Sequence, residues 1–141
     1  METANVIAEQ HGLTPMSSEA LEEFHFGDWE GMSFHALEQD PDWRRFNAYR
    51  SSVRAPGGEL MLETQARMVS QVECLRRRHP GEIVAIVSHA DPLRSVVAHY
   101  LGISLDLLLR FEISPASLSI VETDDWHARV LSINETGELH L

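Results

Sequence analysis

With 141 residues, 43% of them apolar and 23% charged, the chain has ordinary globular composition and is long enough for one domain burying roughly two-thirds of its unfolded surface. A formal net charge of −11 argues against a nucleic-acid backbone or an acidic membrane surface as partner. The single cysteine, Cys74, excludes an internal disulfide and a cysteine-pair zinc site.

The opening Met1-Glu2-Thr3-Ala4-Asn5-Val6 has neither the basic region nor the apolar core of a signal peptide, and no apolar run approaches a membrane span. A soluble, cytoplasmic protein is expected. Residues 3–11 read as the last turns of an amphipathic helix, with Val6 and Ile7 apolar and Gly12 as its stop. The stretch Leu21–Gly31 has neither helical nor strand period. Ser33 is placed to cap a short helix through Gln39, and Pro41 opens another that runs to about Arg50. A loop holding Arg54, Pro56, Gly57 and Gly58 leads into a long helix from about Glu59 to His79. Its apolar positions at Met61, Met68, Val72 and Leu75 make a core-facing stripe, so the methionines and Cys74 are expected to pack.

Glu82-Ile83-Val84-Ala85-Ile86 is apolar and β-branched, which predicts a buried parallel strand. A helix pattern follows through Leu101, with Asp91 placed to cap it, Pro92 in its first turn and Gly102 as its stop. His89 therefore stands where a strand becomes a helix. In an open α/β sheet ligands bind there, and the free amides of the helix start favour anions. On local grounds alone, a phosphate-binding histidine and a plain surface histidine fit this turn equally well. Ser104 is placed to cap one or two further turns. Ser117–Glu122 alternates as a strand, Asp124-Asp125 makes a turn, and Ala128–Ile133 completes a hairpin. Only three strands are visible and only one is central in character. A parallel strand must pair on both sides, so a strand is either borrowed or missing from these residues.

Leu21–Gly31 resembles the L-x-E-x-x-x-G-x-W-E-G signature of the histidine phosphatase superfamily, the phosphoglycerate-mutase-like enzymes. Pro56-Gly57-Gly58-Glu59 resembles the P-G-G-E loop of that family, Ser88-His89-Ala90 its second catalytic histidine, and Ser114-Pro115-Ala116-Ser117 the turn before its late strand. The matches keep the family's order and spacing from about residue 3 to residue 137. The resemblance implies an α/β fold with a mostly parallel sheet and helices on both faces. It also implies phosphoryl transfer through a covalent phosphohistidine, with no metal and no cofactor. The family's nucleophile lies in an Arg-His-Gly motif at the end of the first strand, and a second arginine follows shortly after. Neither motif nor strand is found here: Arg-His-Gly does not occur, and Thr3-Ala4 matches positions just past that second arginine. Residues 1–141 are therefore expected to be a single histidine-phosphatase-like domain lacking its first central strand, with Met1 an internal methionine of a longer protein.

Carried over position by position, the resemblance makes His89 the group that holds the phosphoryl oxygens and Glu23 the proton donor to the leaving alkoxide. A carboxyl does that work when burial or neighbouring anions raise its pKa, and Glu22 and Asp28 are candidates for the second effect. Ser88 and Ala90 flank His89 in the anion site, and Arg54 and Arg94 are candidates to supplement it. Arg44 and Arg45 read as a solvated helix face. Phe26 and Trp29 either wall the pocket or pack beneath the loop. His25 is near enough to Glu23 to line the cleft, whereas His11, His35, His79, His99, His127 and His140 lack ligand spacing. The expected substrate is a small phosphorylated metabolite. Phe26-Gly27-Asp28-Trp29-Glu30 is similar to the small bacterial phosphatases, and the short stretch between Gly31 and Pro56 favours hydrolysis over mutase action. Without its nucleophile the chain alone is expected to be inactive. The competing expectation is a non-catalytic protein that only binds, or that forms a homodimer through the sheet edges a missing strand would expose.

Overall fold

A computed structural model describes residues 1–137, and His140 lies outside the described residues. Helix α1 (Glu2–Gln10) ends at His11, and Gly12 turns the chain away at φ +64°. Two short 3-10 turns, Glu19–Leu21 and Gly27–Trp29, occupy the stretch that lacks any period. The Ser33 hydroxyl caps α2 (Phe34–Gln39) by accepting from the Ala36 amide at 3.2 Å. Asp40 caps α3 (Pro41–Ala48) through the Asp42 amide at 2.8 Å, with Pro41 in the first turn where its missing N–H costs nothing. The helix stops short of Arg50, which turns inward instead.

Helix α4 (Met61–Arg78) buries Met61, Thr64 and Met68 fully, while Val72, Leu75 and Cys74 are half-buried. Helix α5 (Ala90–Leu101) packs against it and ends on Gly102 at φ +67°, the left-handed turn that glycine adopts without strain. The cap of α5 corrects the expectation. His89, in extended conformation, occupies the cap position and offers no side-chain bond. Asp91 lies inside the first turn, and its carboxylate turns away to two arginines. A 3-10 stretch, Leu105–Arg110, starts on the Ser104 hydroxyl. The core joins Phe24, Trp29, Phe46, Met61, Ala98 and Leu108, with Phe24, Trp29 and Trp43 all packed around Phe46. Among the described residues no helix is long and apolar enough to cross a membrane.

The fold is mixed α/β, but its sheet differs from the mostly parallel one expected. Among the described residues it consists of β1 (Leu118–Thr123) and β2 (Ala128–Glu135), paired antiparallel as a hairpin. Glu82–Ile86 belongs to no sheet, and residues 82–85 are exposed where burial was expected. Ile83 is as exposed as in an open chain, and Ile83–Val87 make no backbone hydrogen bond among the described residues. The reason is geometric: a parallel strand owes its burial and its ladder to neighbours on either side, and none is present here.

Candidate functional site

Two loops meet backbone to backbone to form the floor of the site. The Asp28 amide donates to the Pro56 carbonyl and the Glu59 amide to the His25 carbonyl, each at 2.8 Å. The approach is so close that a Cβ on Gly27 would lie 2.1 Å from the Pro56 oxygen, and one on Gly58 would lie 2.2 Å from the His25 oxygen. Glycine at these two points is a steric requirement of the junction.

Arg67 of α4 gathers the loop and lines the cleft. Its Nε donates to Glu59 Oε1 at 3.0 Å and its Nη2 to Glu59 Oε2 at 3.1 Å. Its remaining donors reach the carbonyls of Ala20, Glu22 and Glu23 at 2.9, 2.8 and 2.9 Å. Glu59 also accepts from the His25 amide at 2.9 Å and the Thr64 hydroxyl at 3.1 Å. Burial pushes the Glu59 carboxyl up, but the Arg67 guanidinium and these further donors outweigh it and hold the group below its ordinary value.

His89 is brought to this loop by its neighbour: the Ser88 hydroxyl donates to the Leu21 carbonyl at 2.6 Å. His89 Nδ1 then lies 3.4 Å from Glu23 Oε2, both side chains about half exposed. The other Glu23 oxygen accepts from the Phe24 amide at 2.9 Å. Burial raises the Glu23 carboxyl above its ordinary value, with the Asp91 carboxylate adding to it, against the lowering effects of the Phe24 amide, His89 and Arg67. The anionic help expected from Glu22 and Asp28 comes instead from Asp91. Glu23 and His89 face an open cleft of 650 Å³, and five glutamates line it, namely Glu19, Glu22, Glu23, Glu30 and Glu59. His25 lines it too, with its Nε2 3.4 Å from Glu30 Oε1.

The structure brings His89, Glu23 and Ser88 together, with Ala90 as the first residue of α5 beside them. It does not bring the two expected arginines. Arg54 turns to Glu63 and the Gly58 carbonyl, and its guanidinium holds the Glu63 carboxyl down at about 2. Arg94 is buried, bonded to Asp91 at 3.1 Å and Glu112 at 3.1 Å. Both arginines bond protein carboxylates, and neither is among the residues that line the cleft. Arg44 and Arg45 are exposed on α3. Trp29 packs in the core with its Nε1 on Asp40 at 3.0 Å, whereas Phe26 lines the cleft.

The cleft's guanidinium, Arg67, went unnoticed in the sequence, as did its partner Glu59 beyond the loop motif. The signal available was Arg67 standing beside Met68 on the inward stripe of α4, a charge where a packing residue belongs. Among the described residues no group of histidine, cysteine and acidic side chains is arranged to hold a metal ion.

Known proteins resemble this chain in sequence and in fold. The family model of the histidine phosphatase superfamily, branch 1, matches residues 1–136. Phosphoserine phosphatase 1 of Hydrogenobacter thermophilus is 30% identical over 97% of this chain and 66% of its own length. A bifunctional protein of Mycobacterium tuberculosis is 31% identical over 98% of this chain, and the chain covers 38% of it. The chain thus spans two-thirds or less of these curated relatives. The solved structure of Bacillus stearothermophilus YhfR superposes with a TM-score of 0.88 at 27% identity, covering 96% of this chain and 69% of that one. The chain belongs to the histidine phosphatase superfamily, branch 1.

Proposed function

We propose that these residues form the acid and phosphate-holding half of a phosphate monoesterase site. The 141 residues contain no Arg-His-Gly, the motif that carries the nucleophilic histidine in the family this chain resembles. In the complete site that histidine attacks phosphorus and the P–O bond to the leaving group breaks. Glu23 gives its proton to the departing oxygen, and water then displaces the phosphoryl group from the histidine, its proton returning to Glu23. His89 donates to the phosphoryl oxygens at the start of α5, where the helix amides add to it. The observation that carries this reading is the Glu23–His89 pair at 3.4 Å across an open cleft, with Glu23 held toward its protonated form.

The unpaired Ile83–Val87 backbone supports a protein in which a further central strand pairs with that segment. In such a protein the sheet would be mostly parallel, and residues 1–141 would belong to one domain with that strand. The five glutamates of the cleft also favour this, because an anion site needs cations that the described lining supplies only through Arg67. The substrate is a small phosphate monoester. Phosphoserine heads the candidates because a 30% identical relative is named for it.

The test is hydrolysis of p-nitrophenyl phosphate and phosphoserine by the whole gene product. His89→Ala and Glu23→Gln should each lower kcat by about 100-fold or more, while residues 1–141 alone should neither turn over nor form phosphohistidine. Unchanged turnover in both variants would sink the reading.

A second reading, self-association without catalysis, is favoured by one observation: the exposed Ile83 on a segment with free backbone groups. Sedimentation of residues 1–141 as a monomer at high concentration would count against it.

A further inference from the structure

Arg67 lines the cleft, yet it has nothing left to offer a substrate. A guanidinium carries five N–H donors, and here each one has a protein acceptor. Nε and one Nη2 hydrogen bind the two oxygens of Glu59, and the others bind the carbonyls of Ala20, Glu22 and Glu23. Three of the acceptors are backbone oxygens within four consecutive residues, the last belonging to Glu23 itself. Glu59, whose carboxylate takes the other two contacts, holds the same loop from beyond Glu23 through the His25 amide, and the Thr64 hydroxyl steadies it from α4.

We propose that Arg67 is the positioning residue of the site: its planar fork locks the Ala20–His25 backbone so that the Glu23 carboxyl is held opposite His89. The proposal rests on the reading of Glu23 as proton donor. Lysine in place of Arg67 keeps the positive charge but cannot span the three loop carbonyls and both oxygens of Glu59, because an ammonium is a point charge without a fork. Geometry and charge therefore separate in Arg67→Lys.

The experiment is made on the whole gene product with two readouts. The first is the titration of the Glu23 carboxyl by carbon NMR, with the ring resonance of His89 followed alongside. In the unaltered protein Glu23 should titrate above its ordinary value, with the His89 resonance reporting that midpoint. In Arg67→Lys the loop releases Glu23 to solvent, its midpoint falls back toward the ordinary value, and the response at His89 disappears. The second readout is leaving-group dependence. An alkyl phosphate needs protonation of its leaving oxygen far more than an aryl phosphate does. Arg67→Lys should therefore cost about 10-fold or more in kcat on phosphoserine and less than about 3-fold on p-nitrophenyl phosphate.

An Arg67→Lys protein with the Glu23 titration and the leaving-group ratio unchanged would overturn the proposal. If that variant does not fold, Glu59→Gln, which leaves the three carbonyl bonds in place, should move both readouts the same way by a smaller amount. No movement there would overturn it equally. Should neither ester be hydrolysed by the unaltered protein, the phosphatase reading fails, and the titration alone still decides the role of Arg67.

Discussion

The Ser88 hydroxyl donates to the Leu21 carbonyl at 2.6 Å, joining residues 67 positions apart in the chain. Through that bond the turn carrying His89 is fastened to the loop carrying Glu23. Ser88→Ala leaves a partly buried carbonyl without its donor, which costs about 1 kcal/mol of stability. It should also lengthen the Glu23–His89 approach. Urea unfolding measures the first effect. A drop in kcat on an alkyl phosphate larger than the stability loss explains would measure the second, and an unchanged urea midpoint would refute the bond's contribution.

The glycine junction makes a steric prediction. Gly58 does not have positive φ, so alanine there is opposed only by space, and its Cβ would meet the His25 carbonyl at 2.2 Å. The two loops must part to admit it, at a cost of about 2–3 kcal/mol. Gly137→Ala is the control, since among the described residues nothing lies within 4 Å of its added Cβ. Thermal unfolding of both variants checks this, with the control within error of the unaltered chain.

Asp91 holds two buried arginines at once: Arg50 at 2.6 Å on one oxygen and Arg94 at 3.1 Å on the other. Arg50 further bonds Asn47 at 2.7 Å and lies over the Phe46 ring. Asp91→Ala leaves two guanidinium groups in the interior without their shared carboxylate, and the expected loss is about 3–5 kcal/mol. The first turn of α5 should loosen with it, seen as faster amide exchange around Leu93 and Arg94. Retention of the unfolding midpoint would show that the arginines find other partners.

Glu59 and Glu23 should give opposite pH signatures. Glu59 is held below its unfolded value, so its contribution is present above that value and lost as pH falls through the lower folded one. Glu59→Gln should thus destabilise at neutral pH, and the difference should close in acid, below the ordinary carboxylate range. Glu23 is raised, so its contribution is full below its unfolded value and lost as pH rises through the higher folded one. Glu23→Gln should therefore unfold like the unaltered chain in acid and be the more stable protein above the raised value. Urea midpoints across pH 3 to 8 check both, roughly spanning the carboxylate range, and parallel curves for the two variants would contradict the assigned environments.

Local chemistry was legible in the sequence because it depends on neighbours in the chain. Ser33, Pro41, Gly102 and Ser104 stand at the helix boundaries that their side chains or conformations impose. His89 and Glu23 were found through a motif resemblance, and the structure places them side by side. What was not legible depends on which charge meets which across the fold. Nothing near Arg54 in the chain announces that Glu63 will claim it, and nothing near Arg94 announces Asp91 and Glu112. Arg67 was hidden for the same reason, since three of its acceptors are carbonyls more than forty residues away. The strand at Glu82–Ile86 had the right composition, but composition cannot provide a neighbour.

That missing neighbour leads to the last prediction. Ile83 is fully exposed, Val84 is 39% exposed, and the backbone of Ile83–Val87 has its donors and acceptors free among the described residues. An extended apolar segment with an open ladder is the pattern that pairs with another strand, whether in a dimer or in an aggregate. Residues 1–141 alone should therefore self-associate as concentration rises. Ile83→Lys should suppress this without unfolding the chain, because the side chain contributes no burial and a charge on an edge opposes pairing. Light scattering with concentration measures the outcome. If Ile83→Lys associates as readily as the unaltered chain, another surface is responsible. If the whole gene product stays monomeric with Ile83–Val87 protected from amide exchange, the segment has found its neighbouring strand within the protein.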